Sequence, residues 1–113
     1  MKIHEVNNGH YVSLIIEGEL DANSSVILDE KIATLLSEEK VNLHINGAGI
    51  QYISSPGLGV FISYVGELGS KGGKFVISSL AANVENVFQI LGLDKLENLI
   101  IVNDESEVEA HFR

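Results

Sequence analysis

Two adjacent serines, Ser54 and Ser55, are the side chains in this sequence with the clearest potential for chemistry. They stand directly before Pro56 and a segment whose apolar residues recur at spacings of three and four, which predicts a helix. Pro56 fits the first helical turn, where its missing N–H group costs nothing, so Ser55 is predicted to be the N-cap. Free N–H groups and the helix dipole would accommodate a phosphate on Ser55. Because Ser-Pro is equally a common helix cap without regulatory meaning, the residues alone leave both interpretations open.

Two glycines in the same helix start raise the alternative of a nucleotide-binding loop. Gly57 and Gly59 match part of the dinucleotide fingerprint, which also requires a third glycine where this sequence has Ile62. No Gly-Lys-Ser or Gly-Lys-Thr occurs, which excludes a P-loop, and no Gly-x-Ser-x-Gly pattern marks a hydrolase nucleophile. The residues therefore give no positive reason to predict an enzyme.

Metal and thiol chemistry find no support in the residue types. The chain has no cysteine, so thiolate ligands, disulfides and a cysteine nucleophile are excluded. Its histidines, His4, His10, His44 and His111, are scattered over the sequence without the close pairing with carboxylates that is typical of metal sites. We therefore expect surface or capping roles for all four histidines, and neither a metal nor a cofactor.

The charge balance limits the kind of partner. Sixteen acidic against seven basic residues give a formal net charge of -9, and Arg113 is the only arginine. Nucleic acid and anionic membranes are disfavoured because phosphate groups bind to clustered Lys and Arg, whereas a basic protein surface would be attracted. No apolar run approaches the ~20 residues of a membrane span, and the start of the sequence, Met1-Lys2-Ile3-His4-Glu5, has no apolar region of the kind found in signal peptides. We expect a cytoplasmic protein without membrane insertion.

The hydrophobic pattern predicts a single α/β domain over residues 1–113, with the element order β-β-α-β-α-β-α-β-α. Asn23 or Ser24 is the predicted N-cap of the first helix. The strand around residues 41–45 is expected to end at a turn at Gly47-Ala48-Gly49, and Gly92 is expected to terminate the third helix. Residues 105–112 are predicted to form a short acidic helix with a solvated face.

Four segments together resemble the STAS family of anti-sigma factor antagonists, over nearly the whole chain. They are Gly18-Glu19-Leu20-Asp21, Tyr52-Ile53-Ser54-Ser55-Pro56-Gly57-Leu58-Gly59, Gly72-Gly73-Lys74-Phe75, and Val87-Phe88 with Leu91-Gly92-Leu93. The resemblance implies a STAS-like α/β fold, with a mixed β-sheet of about five strands and about four helices packed on it.

The resemblance also implies a mechanism, in which Ser55 matches the family's phosphorylated serine. The unmodified protein would bind an anti-sigma factor with serine kinase activity and release a sigma factor; phosphorylation would break the complex, and a serine phosphatase would restore it. Ser54 stands where the family usually has aspartate and Pro56 where it has a second serine or threonine, so Ser54 is an alternative acceptor. Asp21 matches the family's loop aspartate, which implies a partner contact, although it can equally serve as a helix cap. The implied partner-binding residues are Asp21, Ser54, Ser55, Pro56, Gly57 and Leu58.

Two other functions stay open. The same fold can serve as a permanent subunit, for example in a stress-signalling scaffold or a bacterial lipid-transport ABC complex. A small-ligand or nucleotide-binding domain at the glycine-flanked helix start is the remaining alternative.

Overall fold

The computed structural model describes residues 1–113 and contains one five-stranded sheet with the strand order β1-β2-β3-β4-β5. The strands are β1 (Lys2–Asn7), β2 (Val12–Leu20), β3 (Asn42–Ile53), β4 (Lys74–Ser78) and β5 (Leu99–Val102). The helices are α1 (Ala22–Ser37), α2 (Ser55–Ser70) and α3 (Ala82–Ile90). β1 pairs antiparallel with β2 across a short turn, and the other neighbours pair in parallel. The predicted mixed sheet of about five strands is confirmed.

The two faces of the sheet are covered differently because successive side chains of a strand point to opposite faces. Phe75 and Ile77 of β4 belong to the main core, which they share with the buried faces of the three helices. Val76, between them, belongs to a smaller cluster with Val102, Val108 and Phe112. The last two lie in residues 104–113, here called the C-terminal segment, which therefore covers the face opposite the helices.

The C-terminal segment differs from its prediction in helix type. Two short 3-10 helices, Glu105–Glu107 and Glu109–Phe112, replace the predicted acidic α-helix. Each is at most four residues long, and the side chain of Asp104 caps the first through the N–H group of Ser106. The fourth predicted helical region is therefore present, but as two short 3-10 helices and not as one α-helix.

The predicted turn at Gly47–Gly49 is wrong, because β3 continues through these residues to Ile53. The glycines instead allow close approach of neighbouring chain. A Cβ atom at Gly49 would lie 2.8 Å from the carbonyl oxygen of Ile16, and one at Gly47 would lie 2.5 Å from a methyl carbon of Leu80. The pairing of β2 with β3 shifts register around Ile16, as expected where a glycine lies within a strand. Because of this extension, β3 ends directly before Ser54, the first serine of the predicted site.

Two predicted helix ends can be compared with the structure. The N-cap of α1 is Asp21 and not Asn23 or Ser24, because Asp21 is the residue with extended backbone and its carboxylate accepts the N–H of Ser24. At the end of α3 the last helical residue is Ile90, and Gly92 follows in the left-handed conformation with φ 73°. Gly92 thus ends the helix, as predicted.

None of the three α-helices is long and apolar enough to cross a bilayer.

Candidate functional site

Strand pairing brings the predicted site residues together at one end of the sheet, just beyond the carboxyl ends of β2 and β3. Leu20, the last residue of β2, is paired with Ile53, the last residue of β3. The next residues of the chain, Asp21 and Ser54, therefore emerge side by side, and each begins a helix. Segments separated by more than thirty positions in sequence thus form one surface at the carboxyl end of the parallel strands, which is where α/β sheets usually place their sites.

Ser54 is the N-cap of α2, so the prediction that Ser55 holds this position is wrong. Its Oγ accepts the N–H of Gly57 at 3.2 Å and donates to the carbonyl oxygen of Leu20 at 2.9 Å. Its backbone N–H also donates to the carbonyl of Leu20. Proline is most often the first residue of a helix, and the residue before a proline is usually not helical. In the structure Ser55 already begins the helix, and Pro56 is its second residue.

The hydroxyl of Ser55 is the available one of the pair. Ser55 is exposed, and its side chain makes no hydrogen bond within the chain, whereas Ser54 is half-buried and uses its oxygen as both donor and acceptor. A kinase acting on Ser54 would have to break both hydrogen bonds and the cap. Steric access therefore favours Ser55 over Ser54 as a phosphate acceptor.

Two of the predicted contact residues are interior. Gly57 is buried, and a Cβ atom on it would lie 2.9 Å from both the carbonyl oxygen and Cγ of Leu20. The side chain of Leu58 belongs to the main core. These two residues fix the position of the helix start against β2, and only Ser55 and Pro56 of the turn are exposed.

Asp21 has a structural role that is visible in its hydrogen bonds. Its Oδ1 accepts the N–H of Ser24 at 2.9 Å, while the Ser24 hydroxyl accepts the N–H of Asp21 at 2.8 Å, which completes a capping box. The hydrogen bond from the Ser24 backbone lowers the pKa of Asp21, so the carboxylate is charged near neutral pH. All its side-chain hydrogen bonds use Oδ1, which leaves Oδ2 able to accept a donor from another protein.

Exposed apolar side chains on the elements that flank the site were not predicted from the sequence. They are Val26, Ile27, Tyr52 and Ile62, each half exposed or more. Large exposed apolar residues are informative where they occur together on a face. The signal was present, because residues 22–28 and 53–66 contain no charged side chain in a chain that is 20% charged. We call Asp21, Ser55 and Pro56, with Val26, Ile27 and Ile62 of the two helices, the docking face. Tyr52 precedes Ile53 of the main core and therefore points to the opposite face of the sheet.

The two helices that carry the docking face are fixed to each other by a polar contact. The phenol of Tyr64 in α2 donates to Oδ1 of Asp29 in α1 at 2.6 Å. Donation to a carboxylate favours the neutral phenol, which raises the pKa of Tyr64 to about 12. This hydrogen bond helps to fix the position of α2 relative to α1.

The histidines do not follow their prediction uniformly. His4 and His10 are exposed, but His44 is only 1% exposed, so a surface or capping role for it is wrong. Its ring nitrogens lie 2.7 Å from the hydroxyls of Ser13 and Ser78 on the strands at either side. Leu43 and Ile45 on either side of it belong to the main core, so His44 lies on the opposite face of β3, which the C-terminal segment covers. No group of three or more His, Asp or Glu side chains is arranged to hold a metal ion.

Comparison with known families identifies the fold family directly. The model described as "Mlab, STAS domain" matches residues 3–102, nearly the whole chain. The chain belongs to the STAS domain family. The STAS domain is 30% identical over 100 residues to the anti-sigma-B factor antagonist of Bacillus subtilis, with 88% of each chain covered. It is 27% identical over 109 residues to the protein of that name from Staphylococcus epidermidis, with 96% of this chain and 98% of the relative covered.

Solved structures show the same fold at lower identity. A candidate anti-sigma factor antagonist from Thermotoga maritima superposes with a TM-score of 0.91 at 21% identity, covering 98% of this STAS domain and 94% of that chain. SpoIIAA, described as a Bacillus cell fate determinant, superposes in its phosphorylated form with a TM-score of 0.77 at 20% identity. That comparison covers 99% of this chain and 100% of SpoIIAA.

Removing the Ser54 hydroxyl should destabilise the STAS domain. Ser54→Ala loses the cap of α2 and the hydrogen bond to Leu20, which we expect to lower the free energy of unfolding by about 1 to 2 kcal/mol. Urea unfolding of the two proteins measures the difference. Ser55→Ala is the matched control and should change stability by less than about 0.5 kcal/mol, because its hydroxyl has no partner. Equal losses in both variants would contradict the assignment of Ser54 as the cap.

Proposed function

We propose that this STAS domain is a cytoplasmic anti-sigma factor antagonist that works by binding and not by catalysis. In its unphosphorylated form it binds an anti-sigma factor with serine kinase activity, and a sigma factor is released. Phosphorylation of Ser55 by that partner ends the interaction, and a serine phosphatase restores it. The curated relatives carry the name anti-sigma-B factor antagonist and match nearly the whole chain, which supports the coarse function.

The observation that carries the site assignment is the exposed, unpaired hydroxyl of Ser55 at the first position of α2. Backbone N–H groups at a helix start tolerate negative charge, so the modification itself need not disturb the fold. The phosphorylated form of SpoIIAA shows that a related fold accommodates a phosphate. Ser54 is the less suitable acceptor because its oxygen is committed to the helix cap.

The charge distribution supports a switch by repulsion and desolvation. No lysine or arginine occurs in residues 12–30 or 41–70, the segments that build the docking face, whereas Glu19 and Asp21 lie in the first of them. A phosphate adds about 1.5 to 2 negative charges without a basic side chain from these segments to pair with it. Burying such a group against a partner costs several kcal/mol unless the partner supplies cations, and about 1.4 kcal/mol already changes affinity tenfold.

The second candidate is a permanent subunit of a larger complex. The family model that matches this chain is described by the name Mlab, and the docking face offers apolar side chains that a constant partner would cover. This candidate predicts no modification of Ser55. Nucleotide binding is not proposed, because the packing of Gly57 against Leu20 already accounts for one of the two glycines that suggested it.

Intact-mass spectrometry with site mapping separates the two candidates. The STAS domain would be isolated from its native cells, before and after stress, together with the proteins that co-purify. Phosphate on Ser55 whose occupancy changes with condition, and a kinase-like partner bound only to unmodified protein, are the expected results. Unmodified protein in every condition, in a stoichiometric complex, would replace the switch with the subunit.

A further inference from the structure

A buried polar cluster spans three strands on the sheet face opposite the helices. His44 of β3 lies at its centre, with Nδ1 2.7 Å from the hydroxyl of Ser13 in β2 and Nε2 2.7 Å from that of Ser78 in β4. Both serines are buried, and Asn8 donates to the Ser13 hydroxyl at 2.8 Å. A neutral imidazole has one donor and one acceptor nitrogen, so the two hydroxyls satisfy it completely. Nothing in the proposed function uses this cluster.

The C-terminal segment is the only described element that closes this face. Val108 and Phe112 insert beside Val76 of β4, and the ring of Tyr11 stacks on Phe112 with centroids 4.6 Å apart. The same Tyr11 ring lies edge-on to His44 at 6.3 Å. The segment consists of short 3-10 helices and contributes no strand to the sheet, so it can leave the sheet without breaking a strand pair.

The charged and titratable groups around His44 come from the segment and the neighbouring strands. Burial lowers the pKa of His44, and the carboxylate of Glu105 in the segment offsets this only in part. Lys74 of β4 donates to the carbonyl of His111. Tyr11 is neutral at ordinary pH, since burial together with the charges of Glu109 and Glu105 raises its pKa. The strands beside β3 contribute uncharged hydroxyls to the cluster.

We infer that the C-terminal segment is an acid-released cover over His44. A charged imidazolium in the closed site is shielded from solvent and contacts only serine hydroxyls, whereas the open site exposes it to solvent. The folded, closed state therefore binds the proton more weakly than the open state, and opening takes up a proton. As the pH falls below the ordinary histidine pKa of about 6.5, the population of the open state increases. Above that pH the cover stays closed.

Hydrogen exchange of the segment measures the opening directly. The backbone amides of Val108 and His111 donate hydrogen bonds inside the segment, so their exchange reports its release. Their protection factors, corrected for intrinsic exchange rates, should decrease below about pH 6.5, with a limiting slope of about tenfold per pH unit. The total decrease between pH 7.5 and pH 5 should reach at most about 30-fold. His44→Gln should remove this dependence, whereas His4→Gln, a change at an exposed histidine whose ring contacts Glu17, should retain it. Segment protection that is independent of pH, while protection of the sheet falls, would overturn the proposal.

A reciprocal measurement avoids any change to His44 itself. Phe112→Ala loosens the cover, so the pKa of His44, followed by NMR of its ring protons, should rise toward its ordinary value. An unchanged pKa of His44 in a folded Phe112→Ala protein would show that the segment does not control access to the ring, and would likewise overturn the proposal.

Discussion

Ser55→Asp is expected to weaken binding of the anti-sigma factor by at least about tenfold, which is about 1.4 kcal/mol. The substitution places a carboxylate at an exposed position of the docking face, where a bound partner must desolvate it. The fold should tolerate the change, because an acidic side chain in the first turn of α2 interacts favourably with the helix dipole. Calorimetric titration with the partner recovered alongside the wild-type protein measures the effect.

Two variants isolate the cause of that loss. Ser55→Ala should bind like the wild-type protein and should resist phosphorylation by the partner. Ser106→Asp makes the same charge change on the C-terminal segment, which covers the opposite face, and should leave affinity within about twofold. If Ser55→Asp also binds normally, Ser55 is not the switch and the permanent-subunit hypothesis gains.

Gly57→Ala and Gly59→Ala, two residues apart in α2, are expected to change stability in opposite directions. A Cβ atom at Gly57 would lie 2.9 Å from the Leu20 carbonyl oxygen and 3.1 Å from the Ile53 side chain. The ends of both strands would have to shift, which we expect to cost about 1 to 3 kcal/mol. At Gly59 a Cβ atom meets nothing within 4 Å, so alanine should stabilise the helix by about 0.5 to 1 kcal/mol.

Chemical unfolding of the two glycine variants gives the free energies, and partner binding gives a second result. Because the displaced strand ends carry Asp21 and Ser54, Gly57→Ala should also weaken the docking face, while Gly59→Ala should not. Stabilisation by both substitutions would mean that the helix start is not packed against β2 as described. Destabilisation by both would point to a role for the second glycine that its open surroundings do not explain.

Local sequence patterns determined the elements of this STAS domain and the residue types of its site. The spacing of apolar residues gave three helices and the strands between them, because burial of one face imposes a period that does not depend on the partner surface. The Ser-Ser-Pro turn was recognised as a helix start for the same local reason. Gly92 needed only its own conformational freedom to end α3.

Tertiary structure decided which serine caps α2, how far β3 extends and whether His44 is buried. Whether Ser54 or Ser55 caps α2 depends on the carbonyl of Leu20, which strand pairing supplies from more than thirty residues away. Likewise, β3 runs through Gly47 and Gly49 because β2 and Leu80 pack against these positions. His44 is buried because the C-terminal segment returns over a face that its own strand leaves polar. Local patterns record how a side chain relates to its own backbone, whereas these outcomes depend on neighbours that only the assembled sheet provides.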